Sequence, residues 1–267
     1  MNQPTSFVGT LALTSVPIYA WWRLRGRRSP VWLRFAGGPR FRLRPRSMGN
    51  NDHGVAYEVF VHRFYDCPRP LPTEDVRLIV DLGANVGFSC LYWLTRFPNA
   101  RLIALEPHPV HFAQCQLNLS ANGLLPRAEL YQAAAGAETR QITLSDAGTS
   151  SAVQANGTPG ITTNMLDVFD LLHDRPVDLL KLDIEGGEYA ILGDARFDRL
   201  APRYLVMEWH GSPRERDWCL TRLGSLGYDI VQLFDHQSHG MLWALRRAAA
   251  DAASPPTHSA RQSTDGD

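Results

Sequence analysis

Two segments rich in acids and glycines carry the chemistry this chain can offer. In the first, Asp81-Leu82-Gly83-Ala84-Asn85-Val86-Gly87-Phe88, the apolar run Ile79-Val80 ends in an acid and then a small-residue turn. The second is Lys181-Leu182-Asp183-Ile184-Glu185-Gly186-Gly187-Glu188. A turn stripped of side chains lets backbone amides and a helix N-terminus approach a bound cofactor. A carboxylate at a strand tip can take a proton from a hydroxyl, or it can hold a cation.

The spacing discriminates between cofactors. A dinucleotide fingerprint reads G-x-G-x-x-G, whereas here the order is Asp81-x-Gly83-x-Asn85-x-Gly87, with the acid on the strand itself. Such an acid suits a ligand that presents a cation, for instance the ammonium of a methionine moiety. It suits a pyrophosphate poorly. Glu106 ends a second apolar run, Leu102 to Leu105, at roughly the 20-residue distance where an acid meets ribose hydroxyls.

These residues need a scaffold. At 267 residues and 44% hydrophobic, the chain forms one large domain or one domain with appendages. From Arg77 onward, strand and helix patterns alternate. Expected strands are Leu78–Leu82, Leu102–Glu106, Ala128–Ala133, Val177–Asp183, Tyr204–Trp209, Asp229–Phe234 and Met241–Leu245. Expected helices are Val86–Phe97, Pro109–Ala121, Met165–Leu172, Glu188–Leu192 and Pro213–Leu226. The alternation predicts a doubly wound α/β fold around a mostly parallel, seven-stranded sheet. Gln141–Leu144 and Ser151–Gln154 read as an inserted hairpin, and the polar 145–151 loop between them is composed to close over a substrate.

The N-terminal region differs in character. Residues 7–22 are mostly apolar and are followed by Arg23, Arg25, Arg27 and Arg28; nine arginines precede the first acid, Asp52. The segment is shorter than the roughly 20 residues of a membrane span. Its charge follows the apolar part, unlike a signal peptide. It is an interfacial anchor with Trp21 and Trp22 at the headgroups, a helix packed on the domain, or a disordered segment. Val31–Phe35 and Phe41–Arg44 read as a hairpin, and His53–Tyr65 as a helix. The expected divisions are 1–30 (apolar and basic), 31–72 (hairpin and helix), 73–247 (the main domain) and 248–267 (a disordered tail). Cys67, Cys90, Cys115 and Cys219 are scattered, with no C-x-x-C. That argues for reduced thiols in a cytoplasmic protein, one with possible membrane association through residues 7–28. No RNA-binding motif is present, and nucleic acid is not an expected partner.

The Asp81–Phe88 run, Glu106-Pro107 with Pro109, Asn118, and the Lys181–Glu188 segment together resemble the FkbM family of S-adenosylmethionine-dependent methyltransferases. The resemblance covers about half the chain, from Ile79 to His210. It implies a class I Rossmann-like methyltransferase fold, with Asp81 to Gly87 against the methionine part of the cofactor and Glu106 on its ribose. It also implies O-methylation of a hydroxyl on a saccharide, glycolipid or secondary metabolite.

Ligands in such sheets sit at the carboxyl ends of the strands. The cofactor set is therefore Asp81, Gly83, Ala84, Asn85, Gly87, Phe88, Glu106, Pro107 and, from the turn after the third strand, Ala133. The catalytic set is Asp183, His210, Glu185, Glu188 and Lys181. Asp183 is the leading base and otherwise orients the glycine turn. His210 is the neutral-base candidate. Glu185 and Glu188 either contact substrate or hold the turn. Lys181, the only lysine in the chain, sits within a strand and either neutralises Asp183 or Glu208 or forms a purely structural ion pair. Asp183, Glu208 and His210 are also the candidate ligands of a divalent metal. Trp209 either stacks on a sugar or belongs to the core, and His108 and His111 are expected at the surface. The rival readings are a non-catalytic cofactor-binding module and a nucleotide-dependent oxidoreductase. Calorimetry separates them: S-adenosylmethionine and S-adenosylhomocysteine are expected to bind, and NAD is not.

Overall fold

A computed structural model describes residues 6–45, 51–144, 160–235 and 238–247. The chain begins with α1 (Phe7–Thr10) and α2 (Val16–Leu24), then a hairpin of β1 (Val31–Arg34) and β2 (Arg40–Leu43). Helix α3 (Asp52–Tyr57) continues as a π-helical turn, Glu58–His62. The main domain follows as β3 (Leu78–Leu82), α4 (Phe88–Arg96), β4 (Arg101–Leu105), α5 (Pro109–Ser120) and β5 (Ala128–Tyr131). Next come β6 (Ala134–Gly136), β7 (Arg140–Leu144), β8 (Ile161–Asp167), α6 (Val168–Leu172) and β9 (Leu179–Leu182). The last elements are α7 (Glu188–Gly193), α8 (Phe197–Leu200), β10 (Tyr204–His210), α9 (Pro213–Ser225), β11 (Tyr228–Asp235) and β12 (His239–Arg246).

Seven strands form the main sheet in the order β11-β12-β10-β9-β3-β4-β5. The pairs from β10 through β5 are parallel, and β12 is antiparallel to both of its neighbours. This is the expected doubly wound sheet. The strand order reverses between β3 and β9, the place where such folds bind ligands. The inner strands read as continuous apolar runs because both faces are covered. Strand alternation then sorts the residues. Val80, Leu82, Leu180, Leu182 and Met207 pack against Ile191, Phe197 and Leu223 on one face. Ile79, Leu179, Val206 and Trp243 face the other way, in one continuous cluster with Phe88, Leu91, Phe7, Trp22 and Phe41.

Two expected elements differ. The residues Met165–Asp167, read as the start of a helix, lie in β8; the helix begins only at Val168, where the Asp167 carboxylate accepts hydrogen bonds from the Phe169 and Asp170 amides. The β-branched Ile161-Thr162-Thr163 start of β8 favours the strand. The strand expected to run to Ala133 stops at Tyr131, and Ala134–Gly136 crosses into a separate sheet of order β6-β8-β7. Gly136 permits this close approach, since a Cβ there would lie 2.3 Å from Met165 Sδ. Gln141–Leu144 therefore pairs with β8. Ser151–Gln154, the 145–151 loop and the tail from Ala248 lie outside the described residues. The cysteines are free thiols, as expected.

The N-terminal region is built onto the domain. Trp22 is buried, and its indole N–H donates to the Ser29 carbonyl at 2.6 Å. The expected pairing of Trp21 with Trp22 at a lipid surface therefore fails for Trp22. The strongest polar link within this region is buried: Asp52 accepts from the Arg44 amide at 2.8 Å and from its Nη2 at 2.6 Å. Asp52→Ala strands a buried guanidinium and is expected to cost about 3–5 kcal/mol in urea unfolding.

Candidate active site

The turn after β3 is shaped by contacts that exclude side chains. Gly83 has φ 89°, and a Cβ there would lie 1.8 Å from the Asp183 carbonyl oxygen. Gly87 has φ 82°, and a Cβ would lie 2.6 Å from Cys115 Sγ. The turn is tied to β4 by its amides: Gly83 and Ala84 donate to the Leu105 carbonyl at 3.1 and 2.9 Å. Asn85 donates to Glu106 Oε2 at 2.8 Å, and the His108 amide donates to Oε1 at 2.9 Å.

This turn forms one wall of a cavity of about 1070 Å³. Gly83, Ala84, Asn85, Phe88, Glu106 and Pro107 line it, all expected from the sequence. Asp81, Gly87 and Ala133 do not; Ala134 and Ala135 stand in Ala133's place, because the chain turns into β6 there. Asp81 is fully buried, and the cation it meets is internal: Lys181 Nζ lies 3.1 Å from its Oδ1. His108 and His111 are buried rather than exposed. Their rings stack with centroids 4.3 Å apart, and His111 Nδ1 lies 3.6 Å from Glu106 Oε1. Helix α5 starts at Pro109 and turns both rings inward.

The second wall comes from the tips of β9 and β10. Asp81 and Lys181 are register partners on adjacent strands, as are Lys181 and Val206. Alternation carries Asp183, Glu208 and His210 onto the same face. Lys181 donates to the Gly83 carbonyl at 2.8 Å and lies 3.3 Å from Asp183 Oδ2. It pairs with Asp81 and Asp183, not with Glu208. Burial acts to lower its pKa, but the two carboxylates outweigh that and keep it well above the ordinary lysine value.

Glu188 holds the turn: its two oxygens accept from the Ile184 and Gly186 amides, each at 2.9 Å. That frees Asp183 from the turn-orienting role. Glu185 adopts φ 55° and Gly186 φ 101°, while Gly187 has an ordinary φ of −79°. Gly187 is small for another reason, because a Cβ would lie 2.8 Å from Ile184 Cδ1. Glu188 Oε1 also lies 3.1 Å from His210 Nδ1. Nε2 of that ring faces Glu185 at 3.5 Å and Glu208 at 3.8 Å.

The electrostatics follow from this crowding. Burial, then the Asp183 charge, pushes Glu208 up to about 8. His210 is lowered by burial, but Glu188, Glu208 and Asp183 more than offset this and raise it to about 9. The surrounding acids thus favour the protonated form of the ring. Asp183, Glu185, Glu208 and Lys181 line the cavity; His210 and Glu188 stand behind it. One atom each of Asp183, Glu208 and His210 lie within 4.8 Å of one another, a convergence the sequence did not show. Trp209 is fully buried in the core.

Sequence reasoning missed the third wall. Glu58, Val59, His62, Phe64 and Tyr65 reach the cavity from the π-turn and the segment after it. Gln232, Phe234, Asp235, His239 and Met241 reach it from β11 and β12. Glu58 is raised by burial and by Asp183, which locates it in the same field. No motif or spacing marks these residues.

The methyltransferase FkbM domain matches residues 81–246, more than half of the chain. The chain belongs to the FkbM methyltransferase family. Within the match fall both acid-and-glycine segments, the Asp81–Leu82 end of β3 and every strand from β4 to β12. A curated relative, Methyltransferase 1 of Beauveria bassiana (strain ARSEF 2860), is 26% identical over 162 residues, covering 51% of this chain and 64% of that protein. Methyltransferase sdnD of Sordaria araneosa is 25% identical over 214 residues, covering 66% of this chain and 81% of that protein. The crystal structure of Methyltransferase FkbM from Methylobacillus flagellatus KT aligns with 18% identity and a TM-score of 0.46, over 74% of this chain and 57% of that one. The matches thus span less than two thirds of the Beauveria and Methylobacillus chains. Lys181→Met leaves Asp81 buried and uncompensated and is expected to cost about 3–5 kcal/mol, read from urea unfolding.

Proposed function

We propose that this FkbM-family chain uses S-adenosylmethionine to methylate a hydroxyl of a saccharide, glycolipid or secondary metabolite. The observation that carries the reading is the meeting, in one cavity, of the Gly83–Phe88 turn with the Asp183 carboxylate, both held by Lys181. The residues fit the cofactor. Gly83, Ala84 and Asn85 present backbone at the wall, and Asn85 Oδ1 is buried with no hydrogen-bond partner. Glu106 already accepts two amides, yet a carboxylate has about four acceptor sites, which leaves capacity for ribose hydroxyls. Phe88, Pro107, Ala134 and Ala135 complete that wall. Gly87 and Asp81 act from behind it, Gly87 by letting α4 approach Cys115 and Asp81 by fixing Lys181.

When bound, the cofactor supplies an electrophilic methyl group, and the protein's work is alignment and proton removal. Asp183 takes the hydroxyl proton. It faces the cavity, it is not consumed by the glycine turn, and Lys181 keeps its charge compensated. Glu188 and His210 hold Glu185 and Glu208 around the acceptor. The acceptor wall combines Glu58, Glu185 and Asp235, which accept from hydroxyls, with the tilted rings of Phe64 and Phe234, 6.2 Å apart. That mixture suits a polyhydroxylated ring with an apolar face.

Asp183→Asn is expected to lose about 10²–10⁴-fold in kcat while S-adenosylhomocysteine affinity stays within about threefold. Turnover would be followed as S-adenosylhomocysteine release across a saccharide and glycolipid panel, with affinity measured by calorimetry. Undiminished turnover overturns the base assignment. The convergence of Asp183, Glu208 and His210, with Glu188 orienting the imidazole as metal-bound histidines are oriented, favours a second reading in which a divalent cation binds the acceptor oxygen. Dialysis against EDTA decides: unchanged turnover supports the carboxylate base, and loss restored by Mg²⁺ or Mn²⁺ supports the cation.

A further inference from the structure

We infer that helix α2 and the turn before it form a docking face for an anionic lipid bilayer. Among the described residues, nine large apolar side chains are exposed, and five of them (Val8, Leu13, Ile18, Trp21 and Leu24) fall in one short stretch. Leu13 is 90% exposed, Leu24 87% and Trp21 51%. Pro17, Trp21 and Leu24 are spaced i, i+4, i+7, so they share one face of the helix. The opposite face is fixed to the body. Tyr19 and Trp22 are buried, and the Tyr19 hydroxyl meets His53 Nε2 at 2.7 Å. The outward stripe is therefore held in place by packing.

Charge selects the occupant. Arg23, Arg25 and Arg28 are exposed around the stripe, and among the described residues none of them forms an ion pair with an acid. The Arg25 guanidinium lies 5.3 Å from the Trp21 ring centroid, so the cation and the aromatic sit at one level. Residues 1–51 contain no acid. A second copy of the chain docked by the same face would set these arginines against each other. A bilayer with anionic headgroups accepts both features: Trp at the interface, Leu and Ile just below it, Arg at the phosphates. The helix has nine residues, about 13 Å by its rise. No helix among the described residues is long and apolar enough to cross a membrane, so α2 would lie in the interface plane.

The inference does not depend on methyl transfer. Its consequence is spatial: His53, which anchors α2, belongs to the helix whose Val55, together with Glu58 and His62 of the π-turn, lines the cavity. A docked chain would hold that wall near the lipid surface.

The test is co-sedimentation of the full chain with phosphatidylcholine vesicles, with and without phosphatidylserine. Binding to the phosphatidylserine vesicles, weakened by salt, is expected. The triple variant Leu13→Ser, Trp21→Ser, Leu24→Ser is expected to lower partition at least about tenfold, and Arg25→Glu with Arg28→Glu to remove the preference for phosphatidylserine. Thermal melts and S-adenosylhomocysteine affinity should match the parent, because these side chains touch neither core nor cavity. No sedimentation of the parent, or equal sedimentation of the triple variant, overturns the inference. So does a parent dimer that the triple variant converts to monomer without any vesicle binding.

Discussion

A single buried ammonium organises the site. Lys181 Nζ sits in the middle of the sheet, donating to the Gly83 carbonyl and paired with Asp81 and Asp183. Three strand-tip features from two strands are locked by one cation: the Gly83 turn, the strand acid and the cavity carboxylate. A charge with so little solvent persists only where several oxygens meet it. The cost of leaving it unpaired fixes the register of β3 against β9. That register in turn sets Gly83 so close to the Asp183 carbonyl that no side chain fits between them.

The same economy governs the second acid-rich segment. Glu188 is spent on the Ile184 and Gly186 amides and on His210, so the turn supplies its own scaffolding. The carboxylates left facing the cavity are Asp183, Glu185 and Glu208, with Glu58 opposite. Burial, then the Asp183 charge, raises Glu208 and Glu58, while Glu188, Glu208 and Asp183 together raise His210. Residues 6–45 complete the design by packing Phe7, Trp22 and Phe41 into the same cluster as the sheet. What reads in the sequence as an appendage is thus continuous with the core beneath the cavity.

Much of this was legible in the residues. The seven main-sheet strands were readable because buried parallel strands must be apolar throughout, and the helices after Gly87, His108, Gly187 and Ser212 were readable from their periodicity and starts. The turn residues Gly83, Ala84 and Asn85 and the acids Glu106 and Asp183 were readable because backbone approach and charge at a strand tip demand those types. The errors have physical causes too. The stretch Met165–Asp167 looked helical because helix and strand patterns overlap in a short apolar run. His108 and His111 looked like surface residues because burial of an imidazole depends on Glu106 and on the direction of α5.

The sequence by itself determined the fold class, the family and the order of the chemical groups along the strands, since these follow from local pattern and from side chains that no other residue type replaces. Tertiary structure decided which groups face one another. Asp81 was read from the sequence as a cofactor residue, and only register shows that it lies beside Lys181 within the sheet. His210 was read as the neutral-base candidate, and only the fold sets its Nδ1 against Glu188. The cavity wall that Glu58, His62 and Tyr65 share with Gln232, Phe234 and Met241 is assembled by packing between segments far apart in the chain, and contacts of that range leave no spacing for a sequence to display.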